Sequence, residues 1–169
     1  MSNILPITFQ GQCNEYWCWA AVASMVSTYY YQSTGKAALS QSQVAEKTLN
    51  VPDCSSSPPP TPCLQLWDLC DALQSIGFKP QNNWTADLGI VSQEVQNRRV
   101  LGALMYYRKS GILHYLLVNG YEDATGEECV YVADPAGQAW GVPWEVFLNN
   151  YNYHDGDAAL WKQWILIQT

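Results

Sequence analysis

Cys18 is the residue with the most chemical potential in this chain. It closes the run Gln12-Cys13-Asn14-Glu15-Tyr16-Trp17-Cys18 and is followed by Trp19-Ala20-Ala21, so the cysteine opens a segment of helix formers. A thiol at a helix start gains from the positive end of the helix dipole, which favours thiolate over thiol. Gln12 stands six positions upstream. Its amide N–H can donate to the oxyanion that forms when a thiolate attacks a carbonyl. A cysteine on an apolar helix is also a common small core side chain, so the reading depends on finding a base.

Only two histidines exist, His114 and His154. His114 opens the run His114-Tyr115-Leu116-Leu117-Val118-Asn119-Gly120-Tyr121, and Asp134 ends Val130-Tyr131-Val132-Ala133-Asp134. If these two runs are strands of one hairpin, the start of the first lies beside the end of the second. His114 and Asp134 are then neighbours. The carboxylate can hold one imidazole N–H and leave the other ring nitrogen for Cys18. Against this stands the plain role of Asp134-Pro135 as a turn. His154 sits in the polar run Asn152-Tyr153-His154-Asp155-Gly156-Asp157 and reads as a solvated side chain.

The elements that must position these groups follow from periodicity. A helix is expected over residues 17–31, apolar almost all round and therefore buried. A second spans 40–49, with Ser40 as N-cap and Gln43 three residues on. The Pro/Ser-rich residues 52–62 form a loop. Apolar positions recurring at three and four predict a third helix over 64–76, ended by Gly77, and a short one follows near 90–99. Residues 100–107, 114–121, 128–133 and 161–167 read as strands, with turns at Gly111 and at Ala124-Thr125-Gly126. A helical crossover near 144–150 precedes the last strand. Helices first and strands afterwards predict an α+β domain occupying residues 1–169, with the catalytic helix packed on a C-terminal antiparallel sheet.

Composition narrows the function classes. The net charge of −7 argues against binding nucleic acid or an anionic membrane through charge. No apolar run approaches the roughly 20 residues that span a bilayer, and residues 1–12 lack the charge and apolar stretch of a secretory signal. The expected location is the cytoplasm, or another cell reached by a route without such a signal. Of the six cysteines, Cys54 and Cys63 flank the Pro/Ser loop and can close it as a disulfide. The sequence does not decide that closure, and the disulfide state of Cys13, Cys54, Cys63, Cys70 and Cys129 stays open. No pair has CxxC spacing, so a zinc site is disfavoured. Asn83-Trp84-Thr85 matches a glycosylation sequon, read here as a chance match.

Gln12, Cys18-Trp19, His114 and Asp134-Pro135, in that order, resemble the papain-like cysteine peptidases. The run Trp17-Cys18-Trp19-Ala20-Ala21 is similar to the AvrRpt2-type effector peptidases. The stretches 114–120 and 131–137 are similar to both these and the C39-type peptidases. Many relatives have Gly before the catalytic His, where this chain has Leu113. The resemblance implies a papain-like fold and a cysteine endopeptidase that needs no cofactor or metal. In it Cys18 is the nucleophile, His114 the general base and acid, Asp134 the orienting residue and Gln12 the oxyanion donor. It further implies a specific protein substrate, a role as a delivered effector or toxin, and an inhibitor or immunity protein that blocks the cleft. Two rivals remain open. One is a transglutaminase-like acyl transferase, whose Cys, His and Asp run in the same order. The other is an inactive papain-like binding module, with the many aromatic residues as its interface.

Overall fold

A computed structural model of the protein describes residues 2–32, 34–124, 127–153 and 157–169. The N-terminal half is mainly helical: α1 (Cys18–Tyr31), α2 (Gln41–Leu49), α3 (Leu69–Ser75) and α4 (Leu88–Gln96). The strands are β1 (Ser2–Ile4), β2 (Lys79–Asn83), β3 (Leu101–Tyr107), β4 (Leu113–Ala124), β5 (Glu127–Ala133), β6 (Ala139–Pro143), β7 (Tyr151–Tyr153) and β8 (Asp157–Gln168). Helix α5 (Trp144–Asn149) lies between β6 and β7. The sheet is antiparallel in the order β2-β8-β3-β4-β5-β6, with β1 added to β4 and β7 to β8.

Helix α1 is buried at every residue from Cys18 to Ser27. It meets β4 and also packs on α2 and α3. Alanines at 20, 21 and 23, all fully buried, keep its surface low and allow neighbours to come close on several sides. Its two buried serines are satisfied: Ser24 donates to Leu39 O at 2.7 Å and Ser27 to Ser24 O at 3.0 Å. Helix α2 starts as expected, with Ser40 Oγ accepting from Gln43 N and Gln43 Oε1 accepting from Ser40 N.

The third helix is shorter than its periodicity predicts. It begins at Leu69, because the Asp68 carboxylate accepts from Cys70 N at 2.7 Å and Asp71 N at 3.2 Å and so caps the helix there. Residues 61–63 instead form a 3-10 turn. The backbone just beyond serves another purpose. Cys63 O accepts from the Trp17 indole at 2.7 Å and Gln65 O from the Trp19 indole at 3.1 Å. Cys54 and Cys63 are joined by a disulfide. The loop is thereby stapled to the start of α1.

Strands β2 and β6 carry no alternating apolar signal and were not expected from the sequence. Both are largely exposed edge strands, where Pro80 is tolerated because an edge position need not donate to the ladder. The turn expected at Ala124-Thr125-Gly126 and the solvated reading of His154 fall on Thr125, Gly126 and His154, outside the described residues.

The disulfide closes a loop with a sequence separation of 9, which chain entropy makes worth roughly 2.5 kcal/mol. Cys54→Ser should lower the stability obtained from urea unfolding by about that amount, and the midpoint with it. An unchanged midpoint would mean that the indole contacts alone hold the loop.

Candidate functional site

Cys18 is the first residue of α1, with Trp17 as the residue before it and Ala21 N donating to Trp17 O at 2.8 Å. The sulfur is therefore held at the helix tip by the backbone ladder and by two anchored indoles. His114 is the second residue of β4, paired with Met105 of β3, and Leu113 before it pairs with Tyr106. Leu113 thus sits in regular strand. The positive φ in this region falls on Gly111 (72°), where the turn needs it.

Strands β4 and β5 pair as the hairpin argument requires, with Leu117 opposite Ala133. This brings Asp134, the residue after β5, to His114: Nε2 lies 2.7 Å from Oδ1 although twenty residues separate them. With Nε2 committed to the carboxylate, Nδ1 is the nitrogen left for the sulfur, and the Cys18 and His114 side chains are hydrogen-bonded. Both are nearly inaccessible, at 2% and 7% exposure, and Asp134 is completely buried.

Three donors serve the Asp134 carboxylate. Oδ1 takes His114 Nε2 and Ala136 N (2.9 Å); Oδ2 takes the Tyr151 hydroxyl (2.8 Å). The backbone closes a turn here, with Gly137 N donating to Asp134 O and Asp134 N to Gln138 O. Asp134 is thus both the turn former of an Asp-Pro sequence and the partner of the imidazole.

Gln12 reaches the same place by a different route. Its backbone N donates to Pro135 O at 2.8 Å, which ties its loop to the Asp134 turn. Buried Gln41 of α2 grips both neighbours, donating to Gly11 O at 2.8 Å and accepting from Cys13 N at 2.9 Å. Gln12 Nε2 donates to Glu15 O at 3.0 Å. An amide nitrogen carries two hydrogens, so one such contact leaves the other available to a ligand.

All four residues singled out by the sequence are therefore gathered around one place. What sequence reasoning missed are the supports: Tyr151, Gln41 and the Ala136 amide. The Asp-Pro-Ala-Gly turn was a readable signal for the amide. Tyr151 and Gln41 come from distant elements with no local signature.

Two hollows border the His114 segment. One, about 320 Å³, is lined by Gln12, Glu15, Ile112, His114, Ala136 and Asp157 among others. The other, about 340 Å³, is lined by Leu66, Trp67, Asp68, Leu113 and Tyr115. Among the described residues, no group of three or more His, Cys, Asp and Glu side chains is placed to hold a metal ion, and no helix is long and apolar enough to cross a membrane.

Burial draws the His114 imidazole toward its neutral form. The hydrogen bonds to Asp134 and Cys18, and the charges of the same two partners, outweigh that and raise its pKa to about 10. The imidazolium is thus the ground form at neutral pH, facing sulfur on one side and carboxylate on the other. Because the folded value lies above the ordinary 6.5, protonated His114 stabilises the fold fully below about pH 6.5. That contribution fades as pH rises toward about 10. Cys70 is a contrast: burial, with Asp68 and Asp71 nearby, pushes it up to about 12 and keeps it a thiol.

The family model described as Peptidase C39 like family matches residues 4–159. No curated protein is significantly similar in sequence. Several solved structures share the fold. Digestive procathepsin L 3 of Tenebrio molitor larval midgut aligns at TM-score 0.62 with 14% identity, over 99% of this chain and 69% of that one. A double glycine motif protease from an AMS/PCAT transporter, in complex with its leader peptide, aligns at 0.52 with 15% identity, over 95% and 94%. The structure reported for the mite allergens Blo t 1 and Der p 1 aligns at 0.60 with 13% identity, over 99% and 68%. The fold is papain-like.

Asp134→Asn removes the negative charge and should lower the His114 pKa by roughly 1–3 units. Proton NMR of the imidazole can follow this, with His154→Gln as the background that leaves His114 as the lone histidine. A titration that does not move would show that the pair carries no electrostatic coupling.

Proposed function

Since the chain belongs to the Peptidase C39 like family and is a papain-like thiol peptidase, we propose that it hydrolyses peptide bonds of a specific protein substrate with Cys18 as nucleophile. In this reading His114 is the general acid and base, Asp134 orients it, and Gln12 binds the oxyanion. The observation that supports it best is the unbroken link from Cys18 through His114 to buried Asp134, with the imidazole held protonated. The Cys18 sulfur bonds to the scissile carbonyl carbon. Negative charge moves to the carbonyl oxygen, where the Gln12 Nε2–H and the Cys18 backbone N–H receive it. His114 gives its proton to the amine as the C–N bond breaks. The now neutral imidazole takes a proton from water, whose oxygen attacks the thioester. The acid leaves and the thiolate and imidazolium return.

The two hollows beside His114 suit an extended chain crossing the sulfur. Leu66, Trp67 and Leu113, 38–51% exposed, offer apolar surface on one side. The solved double glycine motif protease holds a leader peptide, and a peptide segment is the ligand proposed here too. The likeness of the Trp17–Ala21 run to effector peptidases supports a finer proposal: the protein acts within another cell, and its producer carries an inhibitor that covers the cleft. A transglutaminase-like reaction would start from the same thioester but pass the acyl group to an amine.

Cleavage profiling of a proteome tests the reading. Native protein should yield new peptide termini at a restricted set of sites, and Cys18→Ala should yield none while melting like the native protein. Gln12→Ala should lower kcat by roughly 10²–10³. Incorporation of a fluorescent amine into casein, without new termini, would identify the acyl transferase instead.

A further inference from the structure

Tyr151 lies in β7, on the far side of Asp134 from His114. It is 1% exposed, and its hydroxyl donates to Asp134 Oδ2 at 2.8 Å. The ring is fixed by its neighbours. Trp140 of β6 stacks on it with 6.0 Å between centroids, and Phe147 of α5 meets it edge-on at 6.1 Å. Phe147 itself stacks on Trp164 of β8 at 5.5 Å. A hydroxyl on so rigid a ring is aimed, and its target is the carboxylate oxygen that His114 does not use.

On that geometry, and resting on the reading of the site given above, we propose that Tyr151 is a positioning residue for the reaction. It acts through Asp134, fixing the carboxylate's rotation. Asp134 has no exposed surface, so no bulk water can replace a missing donor. Without the hydroxyl, Oδ2 is a buried acceptor short of a partner. Among the described residues, the titratable side chains hydrogen-bonded to Asp134 are His114 from β4 and Tyr151 from β7; Cys18 of α1 lies beyond His114. A carboxylate lacking the hydroxyl is no longer held in the rotation that meets the imidazole. His114 then loses that contact with its counter-charge, and as pH falls the Cys18–His114 ion pair collapses at a higher pH.

The test needs no knowledge of the substrate. Iodoacetamide alkylation of Cys18, read by mass spectrometry of the peptide that contains it, gives a rate at each pH. Tyr151→Phe keeps the ring and removes the hydroxyl. It should move the acid limb of the Cys18 rate upward by roughly one pH unit, the equivalent of one hydrogen bond to a charged group. In the Asp134→Ala background the same substitution should move nothing further. A limb that stays in place in Tyr151→Phe while moving in Asp134→Ala overturns the inference. So does an equal shift in both backgrounds, which would mean Tyr151 acts by another path. A limb unmoved by Asp134→Ala removes the proposed role of Asp134 itself, and the inference with it. Should Tyr151→Phe not fold, carbon-labelled tyrosine in the otherwise native protein supplies the second measurement. The Tyr151 Cζ resonance should shift in Asp134→Ala, and a resonance that stays put overturns the pairing.

Discussion

A carboxylate with no exposed surface is the constraint around which this molecule is arranged. Burying an unpaired charge costs several kcal/mol even after the surroundings relax, and Asp134 is tolerated because nothing on it is left unmet. One oxygen takes an imidazole and an amide; the other takes a phenol hydroxyl. The charge also demands a positive partner. That demand keeps His114 protonated against the opposing pull of burial, and the imidazolium is then the counter-charge at the Cys18 sulfur. One buried anion thus links β4, β5, β7 and the tip of α1.

The elements on either side are built to hold that link still. Helix α1 is buried along most of its length, so it has little freedom to slide on β4. Its N-terminal end is secured by two indole hydrogen bonds to a loop that a disulfide closes. Gln41 grips the chain on both sides of Gln12, and Gln12 N ties the same loop to Pro135. The chemically competent groups therefore rest on helix, strand and clamped loop. The surfaces that would meet a ligand, such as Leu66, Trp67 and Ile112, lie on less regular chain, where change in sequence is cheap.

This division explains how structures only 13–15% identical can share the fold. A buried helix against an antiparallel sheet asks for apolar pattern and volume, which many sequences satisfy. The placement of a thiol, an imidazole and a carboxylate asks for specific residues at a few positions only. Fold likeness alone does not say what a site does; here membership of a peptidase family and the geometry of the site point the same way.

Much of this was legible in the sequence, for identifiable reasons. The segment opening at Cys18 announced a buried helix because its apolar residues surround it almost completely. The strands holding His114 and preceding Asp134 carried β-type runs, and hairpin pairing then required the two residues to meet. Local chemistry also located the capping box at Ser40 and Gln43; the spacing of Cys54 and Cys63 allowed a closure that the structure then shows. Periodicity misled at residues 64–68, where the Asp68 cap and the indole hydrogen bonds overrode it. Edge strands β2 and β6 were silent because exposed strands need no apolar alternation. Most of all, the sequence could single out side chains that the fold brings together but not those that hold them there. Tyr151 and Gln41 act across long separations, through contacts that exist only once β7 and α2 have packed. No local pattern encodes such a contact, because the free energy that selects it belongs to the assembled core.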